Sequence, residues 1–376
     1  MRSDARTDDG TGSEKAGRLL YVDLFRGVVM FLLVAEASGL YDLLVSPVLE
    51  GTVFHAIGLQ FRHHPWHGLT VWDVGQPFFM FISGVAMALA YERRWERGEA
   101  WKATLGRALR RSFLLFAAGW ALSHINPVAG VGRAGFLLNI LVQLSFAHLL
   151  AFLLLKRPAW VRAGAALGLI VLTELLYRFG PGAGLDPFSP VANFGAGLDR
   201  VLLGGTSEGV GVAFNIVPAA VHTLVGVSAG YLIRSGKSRR RKLGVLVAAG
   251  LAAVGAGLAL DPLTPVVKQL YTSSFVILVG GLAILSLALA LWLGEVVRAE
   301  KWFMPFAGMG LNPIFIYAFA QSGGGLWLRG IVEPFTMAFS RLIGDAAAQG
   351  LTCLAVLALF WGLCQWLYNR RIFIRA

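Results

Sequence analysis

The sequence predicts an all-α integral membrane protein, a polytopic bundle of about ten transmembrane helices with both termini in the cytoplasm. Three observations predict this fold class. The 376 residues are 56% hydrophobic and only 14% charged, with a mean hydropathy of +0.66. Apolar runs recur that approach the roughly 20 residues a helix needs to cross a hydrocarbon core. The basic residues between these runs are concentrated on one side when the connections are assigned alternately to the two sides.

Ten apolar runs define the expected spans, with ends that are approximate by a few residues. The first run lacks a small-residue cleavage site, which indicates a retained span and not a signal peptide. We therefore expect residues 1–18 to form a polar cytoplasmic tail and residues 19–376 to form one transmembrane domain. The spans are centred in residues 19–40, 75–92, 109–124, 135–155, 160–178, 213–233, 243–260, 273–294, 304–322 and 350–368.

The distribution of basic residues sets the orientation. Most of the 33 Lys and Arg residues lie on the side of the N-terminal tail, the connections near residues 93–111 and 234–242, and the C-terminal tail. The positive-inside rule places that side in the cytoplasm, and we expect the membrane to be a plasma (cell inner) membrane. Topology and anionic lipid headgroups account for the net charge of +12, so membrane lipid is an expected partner and nucleic acid is not. The opposite side carries Arg62, Arg133, Arg178, Arg200, Lys268, Arg329 and Arg341.

The first span contains three ionisable residues. Asp23 and Arg26 share one helix face near the cytoplasmic end, where they can form a structural ion pair. They can equally form a site for a phosphate-bearing ligand, together with Arg110 and Arg111 at the start of the third span, because arginine binds phosphate in a bidentate manner. Glu36 lies toward the outer end, and an ionisable residue within an apolar span is a candidate functional group.

The external segment FRHHPWHGLTVWDV, residues 61–74, is unusually rich in histidine and tryptophan. Its histidine spacing is not that of a zinc site, and Pro65 interrupts helical pairing, so we predict no metal. Histidine titrates near neutral pH, which suits general acid–base chemistry, and Asp73 can orient a ring or bind a hydroxyl. Trp66 and Trp72 can anchor the segment at the interface or stack against a sugar.

Ordered motifs in this chain resemble the heparan-alpha-glucosaminide N-acetyltransferase family. They begin with RLLYVDLFRG and HHPWHGLTVWDVGQPFFMFISGVA, and continue through RRSFLLF, NILVQLSFAHLL, FNIVPAAVHTLVGVSAGYL, VVKQLYTSSFVIL and GMGLNPIFIY. The resemblance implies a polytopic enzyme that uses cytoplasmic acetyl-CoA to acetylate the amine of a terminal glucosamine on the opposite side. It also implies that residues 19–376 are a transmembrane acyltransferase domain.

The resemblance also singles out residues of the catalytic site. The family's active-site histidine falls on His63, and His64 takes a variable position. Family members have an asparagine late in the first helix, whereas this chain has Glu36 in that neighbourhood. A carboxylate can act as a base or hold an amine cation but cannot donate as an amide does, so the acceptor can differ from glucosamine. We predict His63, Glu36 and Asp73 as catalytic residues.

Further polar residues are predicted to bind the two substrates. For acetyl-CoA, the candidates are Asp23, Arg26, Arg110, Arg111 and Asn312. For the acceptor, the candidates are Trp66, Asn139, Gln143, Asn215, His222 and Lys268. Asn139 and Asn312 could also polarise the thioester carbonyl. Each intramembrane residue has a structural alternative as an interhelical hydrogen bond, and Lys268 could instead cap a helix.

The predicted function is transfer of an acetyl group from acetyl-CoA to the amine or hydroxyl of an external sugar-like or glycan acceptor, with His63 as base or as acetyl carrier. The alternative is a transporter in which Arg26, Glu36, His148 and His222 line a path for a small solute. The spans show no inverted repeat, which favours the enzyme. A homodimer is one possible assembly.

Overall fold

The fold is a helical bundle, and the predicted all-α class is confirmed. The computed structural model describes residues 20–181, 186–207, 211–297, 306 and 308–373, so the predicted tail 1–18 lies outside the described residues. Within those ranges the one β-type pairing is an isolated bridge between His67 and Val267. The α-helices are α1 (Leu20–Ala37), α2 (Leu40–Leu44), α3 (Val53–Leu59), α4 (Gly75–Glu96), α5 (Trp101–Ile125), α6 (Ile140–Leu155), α7 (Ala159–Phe179), α8 (Phe194–Leu202), α9 (Ile216–Arg234), α10 (Arg239–Leu260), α11 (Ser273–Glu295), α12 (Pro313–Phe319), α13 (Gly325–Met337), α14 (Ser340–Ile343) and α15 (Asp345–Asn369).

Six helical segments of the described chain are long and apolar enough to cross a membrane. They coincide with six of the ten predicted spans, so the chain is a multi-pass membrane protein. The total of ten and the orientation of the termini stay predictions. The six segments are Val71–Glu96, Ala159–Phe179, Ala213–Arg234, Arg239–Leu260, Ser273–Glu295 and Asp345–Asn369.

In the part of the chain that the structure describes, the other four predicted spans are also helical, although charged residues or breaks interrupt their apolar pattern. α1 has 18 residues and carries Asp23, Arg26 and Glu36, while α5 has 25 residues and a strongly basic first half. The region 135–155 divides into a 3-10 turn and the 16-residue α6. The region 304–322 is broken, because α12 has only seven residues and passes through a π-type turn, Ala320–Gly324, into α13.

α13 was not predicted from the sequence. Arg329, Glu333 and Pro334 interrupt the apolar pattern that identifies a span. The helix nevertheless forms, because it packs against α15 and Arg329 pairs with Glu333 one turn later. Tertiary packing here outweighs a weak local signal.

α4 and α9 form the centre of the bundle. In the most apolar windows of Val71–Glu96 and Ala213–Arg234, 67% of the residues are buried, compared with 11% for Ala159–Phe179 at the periphery. Close approach of these two helices depends on glycine: a Cβ added to Gly226 would lie 2.0 Å from the backbone oxygen of Phe81. Small residues allow membrane helices to pack backbone to backbone, and Gly226 has this role between α4 and α9.

Two connections between helices are bound to each other at one end of this core. The segment FRHHPWHGLTVWDV pairs with the connection between α10 and α11: the Gly68 N–H donates to the Val266 carbonyl at 2.9 Å. His67 Nε2 also lies 2.9 Å from Asp261 Oδ1. These contacts bring the 3-10 turn Lys268–Leu270 against the segment that contains His63.

Candidate active site

A buried aspartate and a histidine form the centre of the site. The Nδ1 atom of His63 lies 2.8 Å from Oδ1 of Asp73. Asp73 is 1% exposed, whereas the His63 side chain is 41% exposed. A carboxylate accepts hydrogen bonds only, so Nδ1 donates to Asp73 and the lone pair of the neutral ring is on Nε2. The predicted orientation of a histidine ring by Asp73 is present in this geometry.

The local sequence holds the Asp73 carboxylate in place. Its Oδ2 atom accepts hydrogen bonds from the backbone N–H of Thr70 at 3.0 Å and from the Thr70 hydroxyl at 2.9 Å. The backbone N–H of His64 donates to the same oxygen at 3.3 Å. Thr70 and Asp73 thus form the reciprocal cap that begins the 3-10 turn Val71–Val74 before α4. A carboxylate with several donors stays ionised and fixed in direction.

Lys268 lies on the opposite edge of the His63 ring. Its Nζ atom is 3.5 Å from Nε2 of His63, although the two residues are 205 positions apart in the chain. Burial lowers the pKa of Lys268 to about 8, and the charges of Asp73 and Glu36 oppose this effect. Burial also lowers the pKa of His63; the hydrogen bond with Asp73 raises it and the Lys268 charge lowers it further. His63 is therefore neutral near pH 7 and able to accept a proton.

A cavity of about 690 Å³ adjoins this group and is lined by Glu36, His63, Asp73 and Lys268. It is also lined by Leu24, which lies twelve positions before Glu36 on α1. At 1.5 Å per residue the cavity therefore follows α1 for about 18 Å, more than half of a hydrocarbon core about 30 Å thick. Between its ends the lining is mainly apolar, with residues such as Phe25, Val28, Leu289 and Leu293.

Glu36 lies among aromatic side chains at the end of the cavity that holds His63 and Asp73. The Trp72 side chain hydrogen-bonds to its carboxylate. The Trp72 ring packs against Tyr41 at 5.3 Å between centroids, and Tyr41 stacks on Phe61 at 4.6 Å. Glu36 itself is exposed and lines the cavity, so its carboxylate is accessible to a ligand there.

Asn139, Gln143 and Asn215 also line the cavity. The Asn139 side chain caps α6 by accepting from the Leu141 N–H at 2.9 Å. The Gln143 amide oxygen accepts from Gln76 at 2.7 Å. The Asn215 amide donates to the Gln269 carbonyl at 2.9 Å, while its oxygen is buried with no hydrogen-bond partner among the described residues. The cavity thus contains three of the predicted acceptor-binding amides.

Three residues that were predicted for acceptor binding or for transport do not line the cavity. The Trp66 indole donates to the Phe188 carbonyl at 3.0 Å and packs in a separate hydrophobic cluster. His222 is fully buried, with its ring 6.0 Å from that of Tyr271. His148, named only in the transporter hypothesis, is also fully buried and lies 3.4 Å from the Tyr91 hydroxyl. Acceptor contact by Trp66 and His222 stays a prediction.

The predicted coenzyme-binding residues are grouped toward the other end of α1. Asp23 and Arg26 form the predicted pair at 3.6 Å, and Arg26 donates to the Gly310 carbonyl at 3.2 Å. Arg111 is close enough to Arg26 for electrostatic repulsion, and its Nε atom is buried with no partner among the described residues. Arg110 is exposed. Asn312 is buried and donates to the Ile372 carbonyl at 3.0 Å. None of these five side chains lines the described part of the cavity.

Some cavity residues were not predicted. Tyr271 has a left-handed backbone, φ 49°, which is rare for a bulky residue, and its hydroxyl is buried with no partner among the described residues. Gln76, Tyr317 and Gln321 also line the cavity, and of these only Gln76 lies close in sequence to Asp73. Trp72, which was predicted as an interfacial anchor or as a face for a sugar, lines the cavity as well. The described residues contain no group of three His, Cys, Asp or Glu side chains suited to a metal ion.

Comparison with known proteins places this chain in a family. A family model described as heparan-alpha-glucosaminide N-acetyltransferase, catalytic, matches residues 18–259, which is more than half of the chain. The chain belongs to this family. The resemblance predicted from the motifs is therefore confirmed. The match includes His63, Asp73 and Glu36, while Lys268 lies beyond its end.

Two curated relatives carry the same name. Heparan-alpha-glucosaminide N-acetyltransferase from Mus musculus is 33% identical over 120 residues, which are 32% of this chain and 16% of the relative. The protein of that name from Homo sapiens is 33% identical over 113 residues, 30% of this chain and 15% of the relative. The aligned part of the chain spans about a sixth of the length of these relatives. The family is one of membrane N-acetyltransferases.

Proposed function

We propose that this family member is a transmembrane acetyltransferase. It takes an acetyl group from acetyl-CoA on the cytoplasmic side and transfers it to an amine, or a hydroxyl, of a sugar-like acceptor on the external side. The observation that carries the proposal is the cavity, which follows α1 from Leu24 to Glu36 and has the His63–Asp73 pair at the Glu36 end. A soluble acetyltransferase would not need a site that extends so far through an apolar bundle.

The cavity suits the shape of acetyl-CoA. Its apolar middle section can accommodate the pantetheine arm, and the thioester would then reach His63 within the outer half of the bundle. The nucleotide would remain near Arg26 and Arg111, which bear positive charge close to the opposite end of α1. Arginine suits phosphate because its guanidinium binds two oxygens at once. We propose Asp23, Arg110 and Asn312 as supporting residues of this region.

His63 is proposed as the general base. Asp73 holds Nδ1, so Nε2 can take the proton of the acceptor as its nitrogen or oxygen attacks the thioester carbonyl. Glu36, at the same end of the cavity, would hold the acceptor's ammonium group before it loses its proton. The carrier route, in which Nε2 first accepts the acetyl group, would leave acetyl-histidine at residue 63 when acceptor is omitted. Mass spectrometry of protein incubated with acetyl-CoA alone distinguishes the two routes.

The test is transfer of labelled acetyl from acetyl-CoA to glucosamine by purified protein in proteoliposomes. His63→Ala should lower kcat by about 100-fold or more, the usual contribution of a positioned base. His64→Ala is the matched control: its backbone N–H and carbonyl make the contacts to Asp73 and Gln269, and alanine keeps both. Equal rates for wild type and His63→Ala would refute the role of His63. Solute accumulation without coenzyme binding would instead support transport.

A further inference from the structure

The position of Lys268 goes beyond the predicted role in acceptor binding. Asp73 occupies one ring nitrogen of His63 at 2.8 Å, and Lys268 Nζ lies 3.5 Å from the other. Lys268 is 7% exposed yet lines the cavity. The chain thus places an ammonium group at the ring nitrogen that must accept a proton, which is unexpected for a site that contains only a base.

The turn that carries Lys268 is fixed from several directions. Gln269 donates through its side chain to the carbonyls of His64 at 2.8 Å and Pro65 at 3.2 Å. Its own carbonyl accepts from Asn215 at 2.9 Å, and the Leu270 carbonyl accepts from Tyr177 at 3.2 Å. These bonds join the turn to the segment that contains His63, so the separation of Lys268 and His63 is set by the fold and not by a mobile side chain alone.

We propose that Lys268 is a catalytic residue that stabilises the oxyanion formed on the thioester carbonyl while His63 holds the transferred proton. This role rests on the proposed function. The acceptor nitrogen forms a bond to the carbonyl carbon, and the π electrons of the carbonyl move to its oxygen. The same nitrogen gives its proton to Nε2 of His63. The oxyanion then collapses, the carbon–sulfur bond breaks, and the coenzyme A thiolate leaves and takes the proton from His63.

The positive charge of Lys268 affects the protonation of His63 both before and after the oxyanion forms. Between turnovers it opposes protonation of His63, which keeps the base available. Once His63 is protonated, two adjacent cations repel each other unless an anion lies between them, and the oxyanion is that anion. Fixed charges directed at the charge of a transition state are among the largest contributions to enzyme rates. Asp73 and Glu36 partly balance Lys268 in the resting state.

The variants that test this role are Lys268→Met, which removes the charge and keeps the chain length, and Lys268→Arg, which keeps the charge. Lys237→Met, at an exposed lysine between α9 and α10, is the matched control. Lys268→Met should lower kcat by roughly 100- to 1,000-fold, with a small change in the KM for acetyl-CoA. Lys268→Arg should retain a larger part of kcat, and Lys237→Met should match wild type.

A second measurement does not depend on turnover. The rate at which diethyl pyrocarbonate modifies His63, followed by mass spectrometry as a function of pH, reports its protonation in the substrate-free protein. The midpoint should move to higher pH in Lys268→Met and stay near the wild-type value in Lys268→Arg. A structural role for Lys268 would lower thermal stability in Lys268→Met without this shift.

The outcomes separate the two proposals. If wild-type protein transfers no acetyl group, the proposed function is wrong. If wild type is active but Lys268→Met keeps kcat within about twofold and the His63 midpoint does not move, the role of Lys268 alone is overturned. If Lys268→Met does not fold, the same two measurements on Lys268→Arg decide. Full activity of Lys268→Arg above pH 9 supports the need for a positive charge at this position. A folded but inactive Lys268→Arg with an unchanged His63 midpoint overturns the role of Lys268.

Discussion

Oδ1 of Asp73 lies 2.8 Å from Nδ1 of His63, and this contact decides which ring nitrogen can react. The carboxylate accepts the Nδ1 proton, so the lone pair is on Nε2, on the side of Lys268. The three residues come from two distant parts of the chain. Asp73, the His63 ring and Lys268 therefore lie in a row. This arrangement determines the orientation of the His63 ring, its protonation and the ligands that can reach it.

Asp73→Asn should lower kcat by about 100-fold or more while the KM for acetyl-CoA changes little. The amide can present its N–H₂ group to Nδ1, which would favour the wrong tautomer and place the proton on Nε2. Asp345→Asn is the control, because it removes an exposed carboxylate in the first turn of α15. Steady-state kinetics on the three proteins measure the effect. Equal loss in both variants would indicate a general effect of removing a carboxylate.

The pH profile of kcat/KM should be bell-shaped. His63 must be neutral, so activity should rise as pH passes its pKa, which burial lowers below the ordinary value. Lys268 must be charged, so activity should fall as pH rises through about 8, the pKa that burial gives it. The charged groups that face Lys268 are His63, Asp73 and Glu36. In Lys268→Arg the falling limb should disappear, because guanidinium stays protonated in this range. Because wild type and Lys268→Arg are measured with the same acceptor, titration of the acceptor amine affects both pH profiles equally.

Glu36→Gln should weaken binding of a cationic acceptor. Glu36 is exposed to the cavity beside Trp72, and a hydrogen bond to a charged group contributes about 1.5–3 kcal/mol, which corresponds to a KM increase of about 10- to 100-fold. The KM for acetyl-CoA should not change. Glu50→Gln, at an exposed position of the same external region, is the control. If an uncharged sugar alcohol is acetylated as fast by wild type as glucosamine is, the amine-binding role of Glu36 is wrong.

Ser286→Phe should obstruct the part of the cavity proposed to hold the pantetheine arm, without contact to His63, Asp73 or Lys268. Ser286 lines the cavity thirteen positions into α11 from Ser273, about 20 Å along the helix. The KM for acetyl-CoA should rise by about 5- to 150-fold, because a bulky side chain that crowds the bound coenzyme costs about 1–3 kcal/mol, as overfilling a core does. Acetylation from a short external donor such as p-nitrophenyl acetate should persist. Ser228→Phe, at an exposed position of α9, is the control. Loss of both reactions in Ser286→Phe would point to general damage.

Much of the helical architecture follows from local sequence patterns. The arrangement of His63, Asp73 and Lys268 follows from them only in part. Apolar periodicity predicts the spans because each helix satisfies its own backbone hydrogen bonds in lipid. The His63–Asp73 pair was foreseeable because only ten positions separate the two residues. The contact of Lys268 with His63 was not, because it depends on how two connections 205 positions apart in the chain pair with each other.

Two further features of the structure, α13 and the backbone of Tyr271, were also not predicted because they depend on non-local contacts. α13 was missed because its charged residues and Pro334 hide a helix that packing on α15 stabilises. Tyr271 was missed because a left-handed backbone at a bulky residue has no signal in its own side chain. Non-local contacts determine both features, and a single sequence does not display them.

The close packing of α4 and α9 can be tested by one methyl group. In Gly226→Ala the new Cβ would lie 2.0 Å from the backbone oxygen of Phe81, so the helices must separate, at a cost of about 1–3 kcal/mol or more. Gly255→Ala on α10 is the matched control, because nothing lies within 4 Å of its added Cβ and alanine favours a helix by about 1 kcal/mol. Thermal unfolding in detergent should show a lower Tm for Gly226→Ala and an unchanged or higher Tm for Gly255→Ala. Because α4 begins directly after Asp73, acetyl transfer should fall together with the Tm of Gly226→Ala. A wild-type Tm in Gly226→Ala would mean that α4 and α9 are further apart than the structure shows.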